Sequence, residues 1–225
     1  MGNSPVRLYW VPAALALVPL LVMPLCHWLN TQAGHLPGCV SYLQGCVSIS
    51  AAGRYAPGNH LFDAVMTPMG AVLAGYWLLA ARWMGMQGSF AVATGVLRYC
   101  GVSAGIFMVL YAVFLGIESD YGRSLRRLGI NAYFFFNVVC QITMALWLRR
   151  NRSGSPVCRQ VTALLLASLF MAFLSAAENL LPDNNRIDNI IEWNFALFMS
   201  LHFLAMAAEW RRCGFSLQAQ QRMMG

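Results

Sequence analysis

The residues of this chain that could do chemistry fall in a few short stretches. Between Asn30 and Asp63 stand His35, Cys39, Cys46, Ser48, Ser50, Arg54, His60 and Asp63. Further on come Glu118, Asp120, Arg123, Arg126 and Arg127, and then Glu178, Asp183, Asp188, Glu192 and Trp193. A histidine with carboxylates can pass protons when base and partner come within hydrogen-bond reach. Carboxylates beside arginines can bind a polar headgroup or perturb one another's pKa values; the plainer reading is a solvated rim with ordinary ion pairs. Cys39 and Cys46 can pair in an oxidising compartment; the alternative is two free thiols. His202 stands in an apolar stretch. A polar group there is costly and so a functional candidate, against the simpler role of a hydrogen-bonded helix contact.

No catalytic set is complete. Gly101-Val102-Ser103-Ala104-Gly105 spells G-x-S-x-G, but a nucleophile elbow needs a strand–turn–helix, and these residues lie in an apolar run. The same letters spell G-x-x-x-G, which lets membrane helices approach closely. A haem bundle would want paired axial ligands. A disulfide oxidoreductase would want C-x-x-C, and no H-E-x-x-H, Walker loop or dinucleotide fingerprint is present. No cofactor and no metal is expected.

The elements that must position these residues are set by composition. Of 225 residues, 59% are hydrophobic and 10% charged, with fifteen arginines, no lysine and a net charge of +7. An average soluble domain carries roughly 25% charged residues, so a soluble enzyme, a disordered segment and a nucleic-acid binder are excluded. A membrane helix needs about 20 apolar residues. Six stretches meet or approach this, near 8–28, 64–84, 96–117, 127–148, 159–179 and 192–210, with a loop over 30–63. The last apolar core, Trp193 to Ala208, reads as short. Barrel strands would alternate over about 10 residues, so the expected fold is all-α: one domain, a six-helix transmembrane bundle. Alternating the loops puts ten arginines on the side of the termini and five on the other, so both termini are expected in the cytoplasm. Arg7 before an apolar run also resembles a signal peptide, but the run is long and no clean A-x-A follows. The acids Asp63, Glu118, Asp120, Glu178, Asp183, Asp188 and Glu192 fall on the outer side; Glu209, on the inner, is expected to pair with Arg211 or Arg212. Arg98 is expected to snorkel from the inner end of the third span. Arg149, Arg150, Arg152 and Arg159 form a basic inner loop able to attract anionic lipid. Gly70, Gly75, Gly101, Ser103, Ala104 and Gly105 are expected at helix contacts.

Three motifs carry a family likeness. Ser48-Ile49-Ser50-Ala51-Ala52-Gly53 is followed by Pro57 and Leu61-Phe62; Arg123-Ser124-Leu125-Arg126 is followed by Gly129; Glu178 is followed by Glu192-Trp193 and Glu209. In this order the chain resembles the Frag/DRAM/Sfk family of six-span membrane proteins. Asn59 and Arg126 depart from the family pattern, which has a glutamate and a histidine there, and so put any chemistry of those residues in doubt. The resemblance implies a role in membrane lipid organisation, without one shared reaction.

The resulting expectation is a bacterial inner-membrane protein that senses, binds or organises outer-leaflet lipid. The polar-pocket candidates are His60, Asp63, Arg123, Arg126, Glu178, Glu192 and Trp193, with His202 as a buried polar candidate. The alternative is a lipid-remodelling acyl transferase or hydrolase with a His60, Asp63, Glu178 and Glu192 site, and the third reading is a transporter. Membrane lipids are the expected partners, and a protein partner or a second copy stays open.

Overall fold

A computed structural model describes residues 6–178 and 185–217; the side chains of Glu178 and Leu217 lie outside that description. Its long helices are α1 (Trp10–Gln32), α4 (Gly58–Met86), α5 (Ala91–Val113), α6 (Asp120–Asn151), α7 (Pro156–Glu178) and α8 (Asn185–Arg212). All six are long and apolar enough to cross a membrane. Two one-turn helices, α2 (Ser41–Gln44) and α3 (Ile49–Ala52), interrupt the segment between α1 and α4. A two-residue ladder, β1 (Val6–Arg7) with β2 (Ser216–Leu217), is antiparallel and ties the two ends of the described chain together. The bundle therefore has a terminus end and, opposite it, a loop end closed by residues 33–57.

The helices outrun the apolar stretches. The long segment expected over 30–63 is shorter, because Asn30 lies on α1 and His60 and Asp63 lie on α4. The sixth helix is 28 residues, not short. Hydropathy marks the part of a helix that meets lipid, whereas backbone hydrogen bonding continues into polar flanks. At 1.5 Å per residue the 32 residues of α6 reach about 48 Å, well past a hydrocarbon core of about 30 Å. Ser119 starts that helix by accepting the Gly122 N–H through its side chain, with Asp120 in the first turn and Arg149 and Arg150 in the last. That placement suits the helix dipole.

Consecutive helices pack side by side, and α8 closes the ring against α1. The closest approach is between α4 and α5. A Cβ on Gly101 would stand 2.1 Å from the Trp77 Cβ, and one on Gly105 would stand 2.4 Å from the Gly70 carbonyl oxygen. The G-x-x-x-G reading is the structural one, and Ser103 lies inside a helix with no elbow. Gly75 departs from expectation, since nothing lies within 4 Å of where its Cβ would be. Arg98 is exposed in the second turn of α5, with the helix continuing before it.

Aromatic rings fill the centre. Tyr76 meets Phe203 at 5.2 Å and Trp210 at 5.3 Å, and Trp83 meets Trp147 at 5.2 Å. At the terminus end Glu209 is buried, and Arg152, not Arg211 or Arg212, pairs with it. The two neighbouring arginines are exposed; the glutamate sits on the inward face, so its partner comes from across the bundle. Arg152 also donates to the Gln87 Oε1 at 2.6 Å and lies 5.5 Å from the Trp83 ring centre.

The helices α4, α6 and α8 run parallel, so one register relates them. Phe134 meets Phe195 at 4.9 Å near the loop end, and Arg152 meets Glu209 near the terminus end. Two helical turns on from Phe134 and Phe195 stand Gln141 and His202, which therefore share a depth. Both are fully buried, and so is Asn137, whose Oδ1 accepts the Trp77 Nε1–H at 3.0 Å. His202, the buried polar candidate, has no partner for either ring nitrogen among the described residues; nor do the Gln141 amide and the Tyr76 hydroxyl.

Candidate functional site

The loop end is built from backbone carbonyls that α8 reads with its side chains. Along one face of α8, Arg186 Nε donates to the Gln44 carbonyl (2.7 Å) and Asn189 Nδ2 to that of Gly45 (2.9 Å). Trp193 Nε1 donates to Val47 (2.8 Å), and Asn194 Nδ2 to Tyr42 (2.9 Å). Short loops leave such carbonyls unpaired, and buried ones must find donors. The Glu192 Oε2 accepts the Ile49 N–H at 3.2 Å, at the first residue of α3. Ser48 caps the same turn by accepting the Ala51 N–H. From the other side, Asn30 donates to the Ala52 carbonyl (2.8 Å) and accepts the Gly58 N–H (3.2 Å), clamping α1 to α3 and α4. Cys39 and Cys46 are joined by a disulfide across α2. Tyr42 packs edge-on against Trp193 at 4.9 Å, and burial pushes its phenol above the ordinary value, so it stays neutral.

Below this cap an enclosed apolar cavity of about 40 Å³ is bounded by Tyr42, Ile49, Met66, Met108, Tyr111 and Phe203. That is room for a few waters at most, far less than the 300 Å³ or so at which ligand sites begin.

The larger space lies between helices. The buried residues of α7 are Val157, Cys158, Val161, Leu165 and Ser168. They follow one helical stripe and stop there; from Leu169 to Ala177 no described residue of α7 is buried. This helix packs at the terminus end and leaves a cleft of about 400 Å³ against α6 and α8 at the loop end. Phe134, Met171 and Phe195 form the deeper wall; Asn131, Ser175, Asp188 and Glu192 form the rim. Asp188 and Glu192 are one turn apart on α8 and close enough to interact as like charges. Arg127 is exposed one turn beyond Asn131, on the same face of α6.

The sequence candidates separate. Glu192 and Trp193 meet at the cap. Arg126 is buried but faces away from carboxylates, with Nη1 donating to the Leu115 carbonyl at 3.2 Å. Arg123 pairs with Asp120 on the surface. His60 is exposed and Asp63 half-buried, a turn apart on α4, and the Asp63 Oδ1 has no partner among the described residues. No described contact joins either to Glu192. Glu178 ends α7, and its side chain falls outside the described residues. Asn30, Asn189 and Asn194 were not singled out as candidates. Their signal was available: asparagines flanking apolar helices beside a loop rich in glycine have carbonyls to satisfy.

The architecture is that of a multi-pass membrane protein with a folded cap and, between α6, α7 and α8, a cleft carrying two carboxylates at its rim. Compared with family models, curated proteins and solved structures, the chain finds no match.

Proposed function

We propose that the protein binds an amine-bearing, zwitterionic phospholipid in the cleft between α6, α7 and α8, and so senses or organises lipid in the outer leaflet of a bacterial inner membrane. The observation that carries this reading is the layering of the cleft: apolar side chains Phe134, Met171 and Phe195 below, Asp188 and Glu192 at the rim, and the exposed Arg127 of α6 at the depth of Asp188. An acyl chain meets the apolar wall, and a headgroup lying along the rim, in which the phosphate precedes the terminal ammonium, turns its ammonium to the carboxylates and its phosphate to the guanidinium. Two neighbouring carboxylates repel an anionic headgroup and attract a cationic one, while the exposed guanidinium suits a phosphate. The arginine asymmetry supports placing the loop end outside, and the likeness to the Frag/DRAM/Sfk family supports a lipid role. A cleft of about 570 Å³ at the terminus end is larger, but Arg150 is its sole charged lining residue, so it offers an ammonium nothing.

The test is mass spectrometry of lipids retained by the purified protein after exchange into an equimolar phosphatidylethanolamine and phosphatidylglycerol mixture. Enrichment of the ethanolamine lipid, reduced in Asp188→Asn and in Arg127→Gln, is expected. An unselective profile unchanged by either substitution would refute the reading. Product formation from the retained lipid would favour the remodelling enzyme instead.

A further inference from the structure

The cap holds a second constellation, apart from the cleft. We propose that, when the Cys39–Cys46 disulfide is reduced, the two cysteines and His27 form a three-ligand site for a divalent zinc-class cation. One potential ligand atom from each of these residues, the two Sγ atoms and a ring nitrogen, lies within 4.8 Å of the other two. Ser41 Oγ sits among them, 3.3 Å from His27 Nδ1, 3.7 Å from Cys39 Sγ and 3.9 Å from Cys46 Sγ, so the three donors converge on one small polar volume.

The histidine is already oriented for this. Its Nε2 lies 3.0 Å from the Pro37 carbonyl oxygen, which can only accept, so Nε2 carries the proton. That leaves the Nδ1 lone pair accepting from the Ser41 hydroxyl, which a metal ion held by the sulfurs would displace. Metal-bound imidazoles are held in this way, with the second nitrogen donating to a carbonyl or carboxylate. His27 is itself buried in the penultimate turn of α1, which fixes its ring against the loop.

An open cavity of about 270 Å³ is lined by two of the three, His27 and Cys39, together with Ser41, Trp28, Thr31 and Trp193. It leaves a fourth position for water or another ligand, as three-ligand zinc sites do. No arginine, aspartate or glutamate lines it. Two thiolates and a neutral imidazole carry two negative charges, so a divalent ion makes the set neutral beside the membrane while a monovalent ion does not. Charge therefore favours zinc over cuprous copper, although the soft ligands suit both.

The chemistry balances in two steps. A dithiol delivers two electrons and two protons to the cystine and becomes a disulfide; Cys39 and Cys46 become thiols. Zinc then displaces the two thiol protons to solvent, and His27 supplies Nδ1 while keeping its Nε2 proton. The third ligand comes from α1, outside the loop that carries both cysteines.

The test titrates zinc into the purified full-length protein, first as isolated with the disulfide formed and then after a non-chelating phosphine. Cobalt replaces zinc in a parallel sample to report thiolate coordination by its absorption. One zinc per chain, bound only after reduction and lost in His27→Gln and in Cys39→Ser, is expected. Equal uptake by oxidised and reduced protein, or full uptake by reduced His27→Gln, would overturn the proposal. Reduced wild-type protein that takes up no zinc would also overturn it, whether or not its helix content survives. Comparing the two redox states of one chain avoids reliance on variants that fail to fold.

Discussion

Removing the Glu209 carboxylate should loosen three helices at once. Glu209 on α8 pairs with Arg152, the C-cap residue of α6, which also binds Gln87 at the end of α4 and lies over Trp83. Removing one partner of a buried pair costs about 3–5 kcal/mol, because the other charge is left buried. The two charges are not equally buried: the glutamate side chain is 6% exposed and the arginine 31%. Glu209→Gln strands the arginine, which keeps water, Gln87 and the Trp83 face, so the expected cost is about 2 kcal/mol after allowing for solvent. Arg152→Met strands the glutamate with nothing else, and the expected cost is about 3–5 kcal/mol. The measurement is equilibrium unfolding in mixed micelles by circular dichroism, for both single variants and the double. The double variant should recover part of the Arg152→Met loss, since no charge is left buried. The reasoning fails if Glu209→Gln proves the worse single change, or if both lie within about 0.5 kcal/mol of wild type, as ordinary surface changes do.

Other outcomes can be checked in the same assay. Gly101→Ala should cost about 1–3 kcal/mol by overpacking, because its Cβ would meet the Trp77 Cβ rather than a movable side-chain tip. Gly75→Ala, facing open space, should gain about 0.5–1 kcal/mol from helix propensity; equal effects at the two glycines would contradict the packing described. Gln141→Leu removes two buried polar atoms without partners among the described residues and should stabilise by about 1–3 kcal/mol; a loss would mean that the amide is satisfied inside the bundle. Trp193→Phe keeps only a smaller aromatic ring and releases the Val47 carbonyl, and should cost about 1–3 kcal/mol and speed hydrogen exchange over residues 41–52.

Six apolar runs bounded by arginine and glutamate were enough to read the helices, because a lipid solvent leaves few alternatives to the helix. What the runs could not mark was where helix ends and loop begins. Asn30, His60 and Asp63 lie beyond the apolar cores yet on helices, since backbone hydrogen bonding is indifferent to side-chain polarity in the flanks. The cap was legible in part. The pairing of Cys39 with Cys46 was one of two readings the sequence offered, but which side chain serves which carbonyl depends on the rotation of α8 about its axis. How His60, Asp63 and Glu192 stand to one another was not legible for a related reason: a shared depth in the membrane says nothing about position around the ring.

The same distinction explains why Glu192 is a better candidate than the other acids. Its Oε2 is held by the amide at the start of α3, yet the residue also borders the open cleft beside Asp188. A charge so placed links cap and cleft: an ammonium drawn to the rim competes with the Ile49 amide for the same carboxylate. Lipid binding in the cleft should therefore weaken the hold of α8 on α3, while the edge-on contact of Tyr42 with Trp193 stays in place. Hydrogen exchange at Ile49 in the presence of ethanolamine lipid, compared with phosphatidylglycerol, reads that competition directly. Faster exchange with the first lipid alone is expected, and identical exchange in both would separate the cleft from the cap.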